Sequence, residues 1–186
     1  MITSAVTRAF GLQSDQVRRV NLHGYKQLSR LTTTAKEAIL LVEGIHSIRA
    51  PRDRVWASLN DPLILARCVP GVKVLEPDGE DKYRAQIELA VGPVKGKFDG
   101  KVAITEKIMP ESMTLQIDAK APVGIVSAIG RLKLEETPDG TNVHWSGEPK
   151  LAGMLASLGG RLIQGAAKQQ ADAFFTKLET ESQKSE

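Results

Sequence analysis

The side chains that could act as nucleophiles, acids or bases are few and widely spaced in this sequence. Its three histidines lie at positions 23, 46 and 144, and Cys68 is its only cysteine. A nucleophile needs a base within hydrogen-bonding reach, and no sequence neighbour of Cys68 supplies one. The Gly-x-Ser-x-Gly, His-Glu-x-x-His and glycine-rich phosphate-loop motifs are missing. Catalysis would therefore need a pair assembled by folding, for example His46 with an acid on a neighbouring strand.

The same residues have a simpler interpretation as core. His46 lies on the aliphatic face of a predicted strand, where its imidazole either hydrogen-bonds a ligand or is an ordinary core histidine. Cys68 either contacts a ligand or packs as a small hydrophobic side chain. Trp56 and Trp145 either line a pocket or fill the core. The core interpretation is the more common outcome for all four, and the sequence leaves both open.

Composition predicts one cytoplasmic domain. The chain has 186 residues, of which 41% are hydrophobic and 25% are charged, which is typical of a single globular domain. A lone cysteine excludes an intramolecular disulfide and a paired-cysteine zinc site, so we predict no metal and no cofactor. The longest aliphatic run, residues 38–42, is far shorter than the roughly 20 residues of a membrane span.

The positive charge is concentrated at the N-terminus. Residues 1–36 carry six basic side chains and one acidic one, so the remaining chain has 19 bases and 21 acids. A nucleic-acid-binding domain would carry a basic stripe on its folded part, so we predict no nucleic-acid partner. Residues 1–37 are predicted to be a poorly structured basic arm. Their composition also resembles a transit peptide, which no second feature supports.

Hydrophobic periodicity predicts an α+β fold in residues 38–180, followed by a polar tail at 181–186. A first strand at 40–49 precedes two short helices, which end at Asn60-Asp61-Pro62 and Pro70-Gly71. Six further strands alternate apolar and polar residues between proline and glycine turns, and a helix is predicted over 153–179. We therefore expect a seven-stranded curved antiparallel sheet wrapped around a long C-terminal helix, with its apolar face inward.

The inward-facing strand positions include many small residues. A sheet that wraps one helix leaves space unless large side chains fill it, and only 4% of the chain is aromatic. Small inward residues favour a ligand cavity, although glycines also permit the strand bending that a curved sheet needs. These small residues are Ala85, Gly96, Gly100, Ala119, Ala128, Gly130 and Gly147.

Several segments carry a resemblance to known proteins. Residues 50–62 resemble the helix after the first strand in the SRPBCC or START-like superfamily, which has the helix-grip fold. Three later segments are similar to the CoxG family, named for the CoxG subunit of carbon monoxide dehydrogenase, and the whole likeness covers about residues 39–180. These segments are Cys68-Val69-Pro70-Gly71, residues 91–102 and residues 158–163.

This resemblance implies a binding protein rather than an enzyme. Its implied role is an accessory or recruitment factor for a molybdenum hydroxylase of the carbon monoxide dehydrogenase type, one that holds a lipid or a quinone-like molecule. A peripheral position at the inner face of the membrane is part of that expectation. An adaptor without a ligand is the alternative, and a cyclase-like or hydrolase-like enzyme is a third hypothesis.

The predicted site combines the short helices, the inner face of the sheet and the final helix. Its ligand-binding candidates are His46, Trp56, Cys68, Phe98, Leu115, Leu132, Trp145, Met154, Leu158 and Leu162. Glycine weakens a helix by about 1 kcal/mol relative to alanine, so we expect the glycine-containing end of the final helix to open more easily than the end with Phe174 and Phe175. The predicted gate residues are Val69, Pro70, Gly71, Gly159 and Gly160.

Overall fold

The computed structural model describes residues 40–184, so the predicted arm at 1–37 lies outside the described residues. A curved antiparallel sheet of seven strands packs on a long C-terminal helix, as the sequence predicts. The strands are β1 (Val42–Ile48), β2 (Val72–Pro77), β3 (Lys82–Val91), β4 (Val94–Ile108), β5 (Ser112–Ala121), β6 (Gly124–Thr137) and β7 (Gly140–Gly153). The helices are α1 (Arg52–Asn60), α2 (Pro62–Cys68) and α3 (Gly160–Gln183).

The sheet has the order β1-β7-β6-β5-β4-β3-β2, so the chain passes from one edge strand through α1 and α2 to the other. Strands β2 to β7 then follow one another as antiparallel neighbours. The last of them pairs with β1, with Gly44 opposite Trp145 and His46 opposite Val143. Helix α1 therefore follows directly on the end of β1, and α2 leads into the opposite edge strand β2.

Ion pairs link charged side chains on the outer face of the sheet. Glu88 of β3 contacts both Lys73 and Lys97 on the adjacent strands, at 3.3 and 3.4 Å. Asp78, in the β2–β3 turn, contacts Arg84 of β3 at 2.7 Å. These pairs are largely exposed, where an ion pair contributes at most about 1 kcal/mol. Their arrangement confirms that the charged residues of the alternating pattern face solvent.

The two short helices are separated by the capping residue Asp61. Its carboxylate accepts hydrogen bonds from the backbone N–H groups of Leu63, at 2.7 Å, and Ile64, at 3.3 Å. Pro62 takes the first helical position, where its missing N–H has no cost. At the other end of α2, the Val69 N–H donates to the carbonyl of Leu65. The helix is thereby held with one side toward the sheet.

The final helix differs from the prediction at both ends. Strand β7 continues to Gly153, whose φ of 71° is in the left-handed region and ends the strand. Residues Met154–Ser157 form a 3-10 turn, which buries the Leu155 side chain. Helix α3 therefore begins at Gly160, seven residues later than predicted. It continues through Gln183 with Ser182 buried, so residues 181–183 form its last turn rather than a polar tail.

Candidate functional site

Two separate clusters of buried side chains fill the space between the sheet and the helices. The larger cluster joins α1, α2, β1, β7 and the second half of α3, and it includes Ile48, Val55, Val143 and Leu178. The smaller cluster lies toward the β3–β4 turn and contains Val94, Phe98 and Leu155. Neither cluster fills the middle of the sheet. A cavity of about 410 Å³ occupies that position.

The cavity reaches residues from almost every element of the fold. Its boundary includes the end of α1, α2, strands β2 to β7 and the second half of α3. A volume of this size is within the range of small-molecule sites, which is roughly 300–1,000 Å³. The apolar residues at its half-buried margin are Leu65, Val69, Val72 and Leu75, on α2 and the short edge strand β2.

Small side chains create this space on only part of the sheet. Ala85, Ala128, Gly130 and Gly147 line the cavity. A Cβ atom added at Gly147 would have no heavy atom within 4 Å. This glycine therefore leaves open volume that a larger side chain would fill.

The other small residues do not contribute to the cavity. A Cβ atom added at Gly96 would lie 3.1 Å from Cγ2 of Val123, which belongs to the neighbouring hairpin. One added at Gly100 would lie 3.5 Å from Cβ of Ala119. Neighbouring side chains therefore already occupy the space beside these two glycines, and neither lines the cavity.

Aromatic rings form the wall on the α3 side. Phe174 and Phe175 meet edge to face, with ring centroids 5.2 Å apart. Phe175 also lies against Trp145, at a centroid distance of 6.4 Å. His46 stacks on Phe175 with centroids 5.4 Å apart, and this imidazole is not among the residues that line the cavity. The ring of Phe175 thus separates His46 from the cavity.

Polar residues are few around the cavity. Tyr83 lines it from β3, on the same face of the strand as Ala85 and Ile87. Arg131 and Ser146 also border the cavity, from strand positions between the inward-facing residues. A largely apolar wall of this kind suits a lipophilic molecule.

The structure brings together only part of the predicted ligand set. Leu115, Leu132 and Trp145 line the cavity. Trp56 and Cys68 are buried in the larger cluster, whereas Phe98 belongs to the smaller one with Leu158 packed against it. Met154 and Leu162 are exposed beyond that cluster, and neither lines the cavity. Contact of any of these residues with a ligand stays a prediction.

The predicted gate residues belong to two segments, the α2–β2 connection and the start of α3. Val69 lines the cavity, whereas Pro70 and Gly71 lie just beyond it. Gly71 has a φ of 74°, and a side chain there would collide with the Glu88 carbonyl. Gly159 and Gly160 start α3, where a Cβ at Gly160 would lie 3.6 Å from Leu40. Opening of these two segments around the cavity stays a prediction.

Sequence reasoning missed several residues that line the cavity. Phe174 and Phe175 lie at the end of the helix that we expect to open less easily, and both line the cavity although neither is among the predicted ligand-binding residues. Tyr83 could have been predicted from the sequence as a cavity residue, because it belongs to the regularly alternating inner face of β3. The position of α3 against that face depends on contacts distant in sequence, which the pattern does not contain.

Cys68 is a fully buried thiol in the larger cluster, where it behaves as a small hydrophobic side chain. Burial raises the pKa of this thiol, and the nearby carboxylate of Glu181 raises it further. Because the thiolate is the reactive form, both effects suppress nucleophilic chemistry at this residue. The geometry therefore gives no support to a catalytic role for Cys68.

We predict that Cys68 reacts with a disulfide reagent such as Ellman's reagent only when the protein unfolds. The same raised pKa means that the folded state binds the thiol proton more tightly than the unfolded chain does. Stability should consequently fall as the pH rises through the ordinary thiol pKa of about 8.5. Stopped-flow thiol titration and urea melts test both points. Rapid labelling of the native protein would show that the site opens without unfolding.

A second depression of about 550 Å³ lies between α1, α2 and the end of α3, and it is lined by charged side chains. Arg67 contacts Glu181 at 2.8 Å, and Lys184 also pairs with this carboxylate. The hydrogen bond from Lys184, followed by that from Arg67, lowers the pKa of Glu181. Across residues 40–184, no group of three His, Cys, Asp or Glu side chains is arranged to hold a metal ion. The apolar cavity is therefore the better candidate site.

Comparison with known families identifies the family of this chain. The sequence profile of the carbon monoxide dehydrogenase CoxG subunit matches residues 44–182, which is most of the chain. The chain belongs to the CoxG family. A search of the curated proteins finds no match. The family and the fold are consistent with a ligand-binding accessory protein.

Solved structures resemble this CoxG protein along nearly their whole length. A conserved protein from Geobacillus kaustophilus is 31% identical with a TM-score of 0.73, over 76% of this chain and 94% of that one. A START superfamily protein from Mycobacterium smegmatis is 12% identical with a TM-score of 0.60, over 75% and 94%. The Zhui aromatase/cyclase from Streptomyces sp. R1128 is 15% identical with a TM-score of 0.58, over 76% and 92%.

The last two similarities, at low identity, establish the START-like fold and nothing about activity. The CoxG family is not a known enzyme class, although the structural neighbours include aromatase/cyclases. Among residues 40–184, no helix combines the length and the hydropathy that a bilayer crossing demands.

Proposed function

We propose that this CoxG protein holds a lipophilic small molecule, a lipid or a quinone-like compound, in the cavity between the sheet and α3. The observation that carries the proposal is the cavity itself, with its volume of about 410 Å³ and its wall of aliphatic and aromatic side chains. The apolar part of such a ligand would lie against Phe174 and Trp145.

The chemistry of the wall supports an apolar occupant. Aliphatic and aromatic side chains line most of the cavity. Burial of apolar ligand surface against them would gain roughly 25 cal/mol per Å². Water in the same space would find few of the two or more polar partners that it needs.

The residues that line the cavity favour binding over catalysis. General acid–base chemistry uses His, Glu, Asp, Lys, Cys or Tyr side chains close to the reacting atoms. Of these, the described residues that line the cavity include only Tyr83. His46 is separated from the cavity by Phe175, and Cys68 is buried elsewhere. The proposal therefore favours a carrier over a cyclase-like or hydrolase-like enzyme.

We further propose that the bound molecule serves a molybdenum hydroxylase of the carbon monoxide dehydrogenase type. The family name supports this association. In this scheme the protein is an accessory factor that contacts the enzyme and, peripherally, the inner face of the membrane. The alternative role is an adaptor that recruits the enzyme without carrying a ligand.

Native mass spectrometry of the freshly purified full chain tests the carrier proposal. We expect a mass above that of the polypeptide, which solvent extraction removes and which fragmentation identifies as an isoprenoid or acyl lipid. A protein that carries no such molecule and does not take up the apolar dye N-phenyl-1-naphthylamine would contradict the carrier role and favour the adaptor. Conversion of an added polyketide-like substrate would favour the enzyme.

A further inference from the structure

Three chain segments meet at the end of the sheet where α3 begins. The Leu162 side chain packs over the β3–β4 turn, since a Cβ at Gly92 would lie 2.9 Å from its Cδ2 atom. The Leu155 N–H donates to the Val123 carbonyl in the β5–β6 turn at 3.3 Å. We call residues 90–95, 120–125 and 151–162 the basic tip.

The basic tip contains cations and no acid. Its charged side chains are Lys95, Lys120 and Arg161, and within residues 40–184 none of them forms an ion pair. This differs from Lys73 and Lys97, which share Glu88. Unpaired cations lose no existing interaction when they meet an anionic surface.

The three turns at the opposite end of the sheet have the reverse charge. Residues 78–81, 109–111 and 138–139 together contain five acids and no base. Ion pairs offset part of this acidic charge, because Arg84 contacts Asp78 and Lys107 contacts Asp81. At the tip, by contrast, the N-terminus of α3 adds positive charge, because its first turn has no acidic residue and its positive dipole end lies there.

Exposed apolar side chains accompany the cations. Met154 is 58% exposed and Leu162 is 39% exposed. Ile125, on the same end of β6, is 44% exposed. Pro93 and Pro122 at the two hairpin turns are exposed as well. Apolar side chains surrounded by unpaired cations are typical of proteins that insert shallowly into an anionic bilayer.

We propose that the basic tip docks this protein on an anionic lipid bilayer. Lys95, Lys120 and Arg161 contact the phosphate headgroups, and Met154 and Leu162 enter the acyl boundary. This inference names the surface that makes the membrane contact of the proposed function. Only the biological purpose of that contact rests on the proposed function. The smaller buried cluster lies between the tip and the cavity, so docking requires no bound ligand.

Vesicle binding by the full chain provides the test. The triple variant Lys95→Gln/Lys120→Gln/Arg161→Gln should bind phosphatidylglycerol vesicles about 100-fold more weakly than the parent, since each cation near an anionic surface contributes roughly 1 kcal/mol. Binding of the parent should weaken with added salt. Neither protein should bind vesicles of phosphatidylcholine alone.

A matched control variant shows whether the position of the cations or only the net charge of the protein decides vesicle binding. Both variants keep the basic N-terminal arm unchanged. Lys82, Lys133 and Lys177 are exposed cations outside the tip, and the triple variant Lys82→Gln/Lys133→Gln/Lys177→Gln has the same total charge as the tip variant. We expect it to bind vesicles nearly as well as the parent. Equal weakening in both triple variants, or no vesicle binding by the parent, would overturn the proposal.

A labelled cysteine reports the orientation. Met154→Cys at the tip and Met109→Cys at the acidic end give matched exposed thiols, because Met109 is 73% exposed and Cys68 is fully buried. A polarity-sensitive dye at position 154 should shift to the blue with anionic vesicles, whereas one at 109 should not. A shift at both positions would overturn the assignment.

Retention on polyglutamate resin separates a lipid partner from an acidic protein partner. If the tip variant kept vesicle binding but lost retention on this resin, the tip would recognise an acidic protein, and the proposal would be overturned. Each result is independent of cavity occupancy, so this inference and the carrier proposal can fail separately.

Discussion

Gly147→Leu is expected to weaken the binding of an apolar dye to the cavity by about ten-fold or more, a loss of roughly 1.4 kcal/mol. Gly147 lines the cavity from β7, and a Cβ atom added there meets no heavy atom within 4 Å. The leucine side chain would therefore occupy ligand volume without displacing protein. Glycine is unfavourable inside a strand, so the variant should fold at least as stably as the parent. Titration with N-phenyl-1-naphthylamine and a thermal melt measure the two effects.

Gly165→Leu is the matched control for this experiment. Gly165 lies on the exposed side of α3, and a Cβ atom there also has no neighbour within 4 Å. The same substitution thus adds the same side chain outside the cavity, and dye affinity should stay at the parent value. If Gly147→Leu folded normally and bound the dye as well as Gly165→Leu does, the binding site would not be this cavity.

The strands and the fold family could be predicted because their signals are local. In β4, Gly96, Phe98 and Gly100 face inward while Lys95, Lys97 and Asp99 face outward, and the observed burial follows that alternation. The start of α3 could not be predicted in the same way. Leu155 and Leu158 have helical spacing, but the left-handed backbone at Gly153 and the burial of Leu155 against β6 produce a 3-10 turn instead.

The cavity could be predicted only in outline. Gly96 and Gly147 carry the same sequence signal, since each is a small residue on the inner face. They differ because Val123 from an adjacent hairpin covers the first, while nothing covers the second. Such contacts between distant segments also decide which side of α3 carries the aromatic wall. The pattern of small inward-facing residues therefore indicates a cavity, whereas the position of the cavity depends on tertiary packing.

Phe175→Ala is expected to lower the free energy of unfolding by about 3–5 kcal/mol, which would reduce the melting temperature by roughly 10 °C. Phe175 is only 3% exposed, and its ring contacts His46, Trp145 and Phe174. It belongs both to the larger buried cluster and to the cavity wall. The void left by its removal would join the existing cavity, where surrounding side chains cannot collapse to fill it.

Two further variants show whether this loss comes from packing at Phe175. Phe175→Leu keeps most of the apolar volume and should lose much less stability, whereas Leu63→Ala removes a side chain that is 72% exposed and should change stability by less than about 0.5 kcal/mol. Urea unfolding curves, fitted with a common dependence on urea concentration, give the free energy of unfolding of all three variants. An apolar ligand should stabilise Phe175→Ala more than the parent if it also fills the enlarged cavity. If Phe175→Ala lowered the free energy of unfolding no more than Leu63→Ala does, this ring would not hold α3 on the sheet. The aromatic wall would then have no role in forming the cavity.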